Sequence, residues 1–303
     1  MAGTFAGVMQ PAVAQTKLPV VATFSILGDF VREVGGDRIE LTTLVGPNGD
    51  GHVYNPTPAD ARRLAGAKVV FANGLGFEGW IGRLIKASGT KATVVTASSG
   101  VAARPLEEEG DDHGHGKKGN DHGHDHGAVD PHAWQAVANA KIYVGNVRDG
   151  LSAADPAGAA TYGANATAFL AKLDALEAEI RAALAKVPQA GRKVITTHDA
   201  FGYFEAAYGV AFLSPQGVST EAEANAKQVA KLIRQIKAEG VKAVFVETVT
   251  DPRLIKRIAE ETGAKVGGEI YSDALSDGTG PAATYIAMVR HNVTLLVAAM
   301  LGS

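Results

Sequence analysis

Residues 155–188 read DPAGAATYGANATAFLAKLDALEAEIRAALAKVP, and they carry a long helical pattern. Asp155 can cap a helix that starts at Pro156, because proline is favoured at the first helical position. Pro188 and Gly191 end the pattern. At ~1.5 Å per residue, about 30 residues predict a helix of roughly 45 Å. The residues that recur on one face of this helix are Phe169, Leu173, Leu176, Ile180 and Leu184.

The two parts of the chain that flank this helix resemble each other. A shift of 174 residues aligns two regions without a gap, and the identities group at matching apolar runs and glycines. We therefore predict an N-terminal lobe at residues 16–150, a linking helix at residues 151–188 and a C-terminal lobe at residues 189–303. The first region pairs Val20 with Val194, Thr23 with Thr197, Gly28 with Gly202, Phe30 with Phe204 and Gly35 with Gly209.

Each lobe alternates short apolar runs with helical patterns. The runs are PVVATFSIL, IELTTLV, KVVFAN and ATVVTA in the first half, and KVITTHDA, VAFLS, VKAVFVETV and AKVGGEI in the second. Helical patterns such as PADARRLAG and NAKQVAKLIRQIKAEG separate several of them. Strands that alternate with helices indicate parallel sheets. The predicted fold class is therefore α/β, with two similar lobes of mainly parallel sheets bridged by one long α-helix.

The composition limits the function classes. The net charge is -3, which argues against a nucleic-acid surface or binding to anionic membranes. The absence of cysteine excludes disulfides, thiolate catalysis and cysteine-based zinc sites. Residues 1–15 are apolar and end in an A-x-A pattern before Gln15, which is typical of the end of a secretory signal peptide. We predict a signal-peptide remnant or a disordered tail there, and an exported protein.

Four residues are candidate metal ligands because each follows a predicted strand or a sharp change of composition. Ligands of open α/β sheets bind at the carboxyl ends of strands, so two residues from each lobe would converge between the lobes. Three imidazoles and one carboxylate suit a tetrahedral divalent cation, and Zn²⁺ fits best, whereas Mn²⁺ prefers more oxygen ligands. The candidates are His52, His132, His198 and Asp273.

Several other interpretations stay open at this point. His52 could be a surface residue and Asp273 a turn or cap residue, and we assign His291 a structural role on a helix face. A zinc hydrolase would also use three histidines, but Asp273 would close its open position, and no H-E-x-x-H motif is present. A free zinc buffer or chaperone is a third possibility.

Four motifs, in this order, make the chain resemble the zinc-binding branch (ZnuA/AztC type) of the cluster A-I substrate-binding proteins of metal ABC transporters. They are GHVYNPTPAD around His52, VDPHAW around His132, TTHDAFGYF around His198 and YSDALSDG around Asp273. The resemblance implies two α/β lobes, one long helix, and a single metal site formed by these four residues. Manganese relatives have glutamate at the third position, so His198 favours zinc, although a manganese or iron receptor remains the alternative.

The resemblance also implies partners and a location. The protein would be a monomeric periplasmic receptor that binds Zn²⁺ with high affinity and delivers it to an ABC permease. The His-rich segment would be a mobile loop at residues 110–127 that collects zinc with low affinity, or accepts it from a periplasmic zinc chaperone. Its histidines are His113, His115, His122, His124 and His126.

Two mechanistic expectations follow from a histidine site. Zinc affinity falls as the pH drops through ~6.5, the ordinary histidine pKa. A ligand histidine donates its other N–H to an acceptor, for which Asp199 and Glu247 are candidates. The linking helix also predicts small lobe movements rather than a wide hinge closure.

Overall fold

The computed structural model describes residues 16–106 and 129–302. The predicted signal-peptide remnant at residues 1–15 lies outside the described residues, and so do the five loop histidines at positions 113, 115, 122, 124 and 126. Within the described ranges, no helix is both long enough and apolar enough to span a membrane.

The N-terminal lobe is a four-stranded parallel sheet with the strand order β2-β1-β3-β4. Its strands are β1 (Leu18–Phe24), β2 (Ile39–Val45), β3 (Val69–Ala72) and β4 (Thr93–Thr96). Its first three helices are α1 (Ser25–Gly35), α2 (Pro58–Gly66) and α3 (Ile81–Ser88). A capping box between Thr57 and Asp60 starts α2, and Pro58 occupies its first position. Because all four strands of this sheet are parallel, their carboxyl ends lie at the same edge of the sheet.

Two long helices follow, α4 (Val137–Ala154) and α5 (Ala159–Leu184). The predicted start of the long helix at Pro156 is wrong by three residues, because Pro156–Gly158 form a 3-10 turn. Asp155 does not cap a helix with its side chain; its carboxylate accepts hydrogen bonds from Arg38 and from the hydroxyl of Tyr162. The 26 residues of α5 give a length of about 39 Å.

The C-terminal lobe repeats the topology of the first lobe. Its parallel sheet has the order β6-β5-β7-β8, which is the N-terminal order with each number raised by four. Its strands are β5 (Lys193–Ile195), β6 (Ala211–Leu213), β7 (Ala243–Glu247) and β8 (Lys265–Ile270). Its helices are α6 (Gly202–Tyr208), α7 (Ala226–Glu239), α8 (Pro252–Thr262) and α9 (Tyr285–Leu301). The predicted two-lobed α/β fold is confirmed.

One hydrophobic core runs through both lobes. Helix α5 packs against α1, α4 and α9, and its predicted apolar face is buried. The ring of Phe30 lies 6.1 Å from Phe169 of α5 and 4.8 Å from Tyr285 of α9. Because α5 and α9 share this core with α1, a wide separation of the lobes would expose large aromatic side chains to water.

Candidate metal centre

His52 lies in the loop that follows β2 in the N-terminal lobe. The backbone N–H of His52 donates to Asp50 Oδ1 at 2.8 Å, and the imidazole packs against the ring of Phe77 with the centroids 4.6 Å apart. The indole N–H of Trp80 donates to the carbonyl of Gly51 at 2.8 Å. These contacts hold the loop in place and leave Nε2 of His52 directed between the lobes.

His132 is held by the residue two positions before it. Asp130 Oδ1 accepts from the backbone N–H of His132 and lies 2.9 Å from its Nδ1. The amide of Asn73, at the end of β3, donates to the carbonyl of Pro131 at 2.9 Å. A proton on Nδ1 that points at a carboxylate leaves the lone pair of Nε2 free for a metal.

His198 follows β5 and is held by a carboxylate at the end of β7. The parallel pairing of Ile195 with Val244 brings the two strand ends together. Glu247 Oε1 accepts from the backbone N–H groups of Thr197 at 2.6 Å and His198 at 2.9 Å. Glu247 Oε2 lies 2.6 Å from Nδ1 of His198. The imidazole therefore also presents Nε2 to the cleft.

Asp273 comes from the segment after β8 and is fully buried. The carbonyl of Ser272 accepts two hydrogen bonds across the lobe boundary, at 2.9 Å from Trp134 Nε1 and at 2.8 Å from Gln135 Nε2. These bonds tie the aspartate segment to the segment that carries His132. The position of Asp273 is thus set by both lobes.

The four predicted ligands converge in the structure. One ligand atom from each lies within 4.8 Å of the others. The Nε2 atoms of His52 and His132 are 3.1 Å apart. The carboxylate of Asp273 lies 3.4 Å from Nε2 of His52, 3.5 Å from Nε2 of His132 and 3.1 Å from Nε2 of His198. A single cation could therefore contact all four side chains after small adjustments.

The charges of the site are strongly coupled. Burial opposes the imidazolium of His198, but the carboxylates of Glu247 and Asp273 outweigh it and raise the pKa of His198 well above its ordinary value. Burial would raise the pKa of Asp273, but the nearby imidazoles of His198 and His132 hold that pKa well below its usual range. The site therefore binds positive charge, either protons or a metal ion.

The donor set fits a divalent transition-metal ion. Neither oxygen of Asp273 receives a hydrogen bond from within residues 16–106 and 129–302; both face imidazole nitrogens instead. A buried carboxylate without hydrogen bonds is costly unless a cation compensates it. Imidazole nitrogens and a carboxylate oxygen are ordinary ligands of such ions.

A cavity of about 610 Å³ opens onto His52 at the lobe boundary. Phe77 of the N-terminal lobe and Val218 and Glu221 of the C-terminal lobe line it. Leu106 and Val129, the described residues on either side of positions 107–128, line it as well. Beside it, the hydroxyl of Thr220 donates across the boundary to Asp50 Oδ2 at 2.6 Å. His52 is consequently the ligand nearest to this opening.

The two residues that were predicted to accept a hydrogen bond from a ligand histidine, Glu247 and Asp199, lie in different places. Glu247 lies against His198, whereas Asp199 lines a separate cavity of about 390 Å³ together with Arg104. Sequence reasoning missed Asp130, the acceptor behind His132. A usable signal was present, because a carboxylate two residues before a histidine, with a rigid proline between them, can accept from that histidine's backbone N–H.

His291 is not among the four residues whose ligand atoms come together here. It lies on α9, where its Nε2 is 2.9 Å from the carbonyl of Glu269. Its ring packs edge-on against Tyr271 with the centroids 5.6 Å apart. These contacts are those of a structural residue on a helix face.

Comparison with known proteins places this chain among periplasmic metal-binding proteins of transporters. A family model described as "ZnuA: Zinc-uptake complex component A periplasmic" matches residues 20–299. The manganese-binding lipoprotein MntA of Halalkalibacterium halodurans is 34% identical over 93% of this chain and 88% of its own length. The iron-binding protein YfeA of Yersinia pestis is 32% identical over 93% of this chain and 86% of its own length.

Solved structures show the same architecture. The periplasmic zinc-binding protein TroA of Treponema pallidum superposes with a TM-score of 0.84 at 29% identity, and covers 94% of this chain and 99% of its own. The manganese-bound periplasmic metal-binding protein of Candidatus Liberibacter asiaticus gives a TM-score of 0.81 at 27% identity, over 94% of this chain and 100% of its own. The similar proteins are thus named for zinc, manganese and iron.

Proposed function

The chain belongs to the ZnuA family of periplasmic zinc-uptake components, and we propose that it binds Zn²⁺ in the periplasm and delivers it to the membrane permease of an ABC transporter. The observation that carries this proposal is the group of three imidazoles and one buried carboxylate at the lobe boundary. The metal is the transported substrate. The family is a transport family, so no catalytic role is assigned to the site.

The donor set supports zinc over manganese. Zn²⁺ is commonly bound by four nitrogen and oxygen ligands in tetrahedral geometry, and this site offers three nitrogens and one carboxylate. Mn²⁺ prefers sites that are richer in oxygen. In this proposal Asp273 fills the fourth position, which distinguishes the site from a hydrolytic zinc centre with an open position for water.

A manganese or iron receptor is the second candidate function. The specific observation in its favour is that relatives at 34% and 32% identity are named for manganese and iron. Asp273 supports this candidate too, because both its oxygens face the cation site and could supply a fifth ligand. The two candidates therefore differ in coordination number, which a metal competition would reveal.

The test is metal retention under competition. The metal-stripped protein is given equimolar Zn²⁺ with a large excess of Mn²⁺ or Fe²⁺, then desalted and analysed for bound metal. One retained zinc supports the zinc receptor, whereas retained manganese or iron establishes the second candidate. A matched Asp273→Ala variant that retains zinc as tightly as the wild type would remove Asp273 from the ligand set.

We also propose that the His-rich segment assists zinc capture. The support is positional, because Leu106 and Val129, which flank the segment, line the cavity that opens onto His52. Deletion of residues 111–126 should slow zinc loading, or abolish transfer from a donor protein, and leave the final affinity nearly unchanged. Stopped-flow mixing with a zinc indicator measures the loading rate. Loss of tight zinc binding in the deletion variant would contradict this role.

A free zinc buffer differs from a receptor only by its partner. The proposed receptor should stimulate ATP hydrolysis by its permease in membrane vesicles when loaded, as no buffer would. The experiment compares the ATPase rate of the cognate permease with the zinc-loaded and the metal-free protein. An unchanged ATPase rate with loaded protein would favour the buffer.

A further inference from the structure

The carboxylate that orients His132 has a second oxygen in a different environment. Asp130 Oδ2 is buried, and among residues 16–106 and 129–302 it receives no hydrogen bond. The guanidinium of Arg104 approaches it, with Nη1 at 3.7 Å. The backbones of the two residues are also joined, since the Asp130 N–H donates to the Arg104 carbonyl at 2.9 Å. Arg104 therefore faces the side of Asp130 that His132 does not use.

The opposite lobe provides the space for this ion pair. Gly202, the first residue of α6, has no side chain; a Cβ there would lie 1.8 Å from Nη1 of Arg104 and 2.6 Å from Oδ2 of Asp130. The next residue, Tyr203, accepts a hydrogen bond at 2.9 Å from the backbone N–H of Arg104. The ion pair of the N-terminal lobe thus fits against a glycine of the C-terminal lobe.

A second acidic group, Asp199, adds negative charge near Asp130 and so increases the stabilisation that the positive charge of Arg104 provides. Asp199 is close enough to Asp130 for their charges to interact, and it lines a cavity together with Arg104. Without the guanidinium, two carboxylates would face each other in a largely buried region. The guanidinium offsets this repulsion because it places a positive charge beside Oδ2 of Asp130.

We propose that Arg104 is a positioning residue of the metal centre, which holds the Asp130 carboxylate in the orientation that fixes the His132 imidazole, within a space that Gly202 of the opposite lobe leaves open. The inference rests on the proposed binding of a metal ion by His132. In this arrangement the orientation of the His132 imidazole depends on the contact between the two lobes. Partners behind a ligand typically change metal affinity by 10- to 100-fold when they are removed.

The test combines three substitutions with a matched control. Arg104→Met removes the charge, Arg104→Lys retains it, and Gly202→Ala keeps the guanidinium but crowds both it and the Asp130 carboxylate. The alanine does not strain the backbone, because Gly202 has no positive φ angle. Arg290→Met is the control, since Arg290 pairs with Glu179 at an exposed site on α9. Zn²⁺ affinity is measured by chelator competition, and thermal unfolding of the metal-free proteins controls for folding.

Arg104→Met and Gly202→Ala should each weaken Zn²⁺ binding by roughly tenfold, the lower end of the range for such partners. Arg104→Lys should retain most of the affinity, and Arg290→Met should bind like the wild type. Imidazole ¹⁵N spectra of the metal-free protein supply a readout that a purely structural role would not change. They should show His132 with its proton on Nδ1 in the wild type and a mixture of tautomers in Arg104→Met and Gly202→Ala.

Wild-type affinity in both Arg104→Met and Gly202→Ala would overturn the inference. So would a loss of affinity that Arg104→Lys does not rescue and that leaves the His132 tautomer unchanged. If Arg104→Met fails to fold, Arg104→Gln, which also removes the charge, takes its place and decides the outcome. If the wild type binds no divalent cation tightly, the proposed function fails, and the tautomer of His132 still tests the positioning role.

Discussion

Glu247 Oε2 lies 2.6 Å from Nδ1 of His198, while its other oxygen accepts hydrogen bonds from the backbone N–H groups of Thr197 and His198. One buried carboxylate thus fixes both the backbone and the imidazole of a candidate ligand. All these groups are fully or almost fully buried, so water cannot replace any of the bonds. The geometry of the metal site at His198 therefore depends on Glu247.

The first prediction concerns Glu247→Gln, which has a similar shape but no charge. We expect metal affinity to fall by roughly 10- to 100-fold, because the amide is a weaker acceptor for the imidazole N–H and does not increase the basicity of the ligand. Chelator competition measures the change. Glu239→Gln, at an exposed ion pair with Lys193, is a matched control that should bind like the wild type. Equal affinities for the two variants would refute the role of Glu247.

The second prediction concerns pH. Because the pKa of His198 is raised well above its ordinary value, protons compete with the metal already above pH 6.5. We expect the apparent affinity to fall as the pH is lowered, and the fall should begin at a higher pH than an ordinary imidazole with a pKa near ~6.5 would give. Glu247→Gln should shift this dependence to lower pH. An affinity that stays constant down to pH 6.5 would contradict the prediction.

The same shift affects the stability of the metal-free protein in a defined direction. The folded pKa of His198 lies above its unfolded value, so its contribution is complete below the unfolded pKa and is lost as the pH rises through the folded pKa. Chemical unfolding of the metal-free wild type and Glu247→Gln at a series of pH values should show a difference in stability that shrinks as the pH rises. A difference in stability that grows with pH would contradict the raised pKa of His198.

The third prediction concerns the bond between Thr220 and Asp50 that joins the lobes beside His52. Thr220→Val keeps the shape of the side chain and removes the donor. A typical net hydrogen-bond contribution of ~0.5–1.5 kcal/mol predicts a metal dissociation rate roughly two- to tenfold higher. Stopped-flow release to an excess of chelator measures this rate. Thr294→Val, on the exposed side of α9, is the control, and an identical rate in both variants would exclude the contact as a barrier to release.

The fourth prediction concerns Asp29, whose carboxylate accepts from the backbone N–H of Tyr285 at 2.8 Å and so joins α1 to the start of α9. Burial raises the pKa of Asp29 from 3.8 to about 6 despite that hydrogen bond. A raised folded pKa contributes stability below pH 3.8 that is lost as the pH rises through 6. About two pKa units correspond to about 3 kcal/mol.

Asp29→Asn should remove this loss. We expect the unfolding free energy of Asp29→Asn to increase relative to that of the wild type by up to about 3 kcal/mol between pH 4 and 7, so the variant becomes relatively more stable. Urea unfolding of both metal-free proteins at several pH values measures it. Asp37→Asn, in the turn after α1, serves as the comparison. A relative stability that does not change with pH would contradict the raised pKa of Asp29.

Local sequence patterns predicted most of the fold. Alternating apolar runs located all eight strands of the described residues, because buried parallel strands are read from a few consecutive apolar residues. The start of α5 was misplaced, since nothing local shows that the Asp155 carboxylate binds Arg38 instead of capping a helix. The chain repeat predicted two equal sheets, and both have the same strand order.

The sequence by itself determined which residue types are available to a cation, because imidazoles and a carboxylate after strand ends are read directly from the chain. Only the tertiary structure decided which carboxylate supports which histidine. Glu247 is 49 residues from His198, and Arg104 meets Gly202 from the other lobe. Such contacts depend on how two sheets and a shared core are packed, and no local pattern encodes the distance between groups that lie so far apart in the chain.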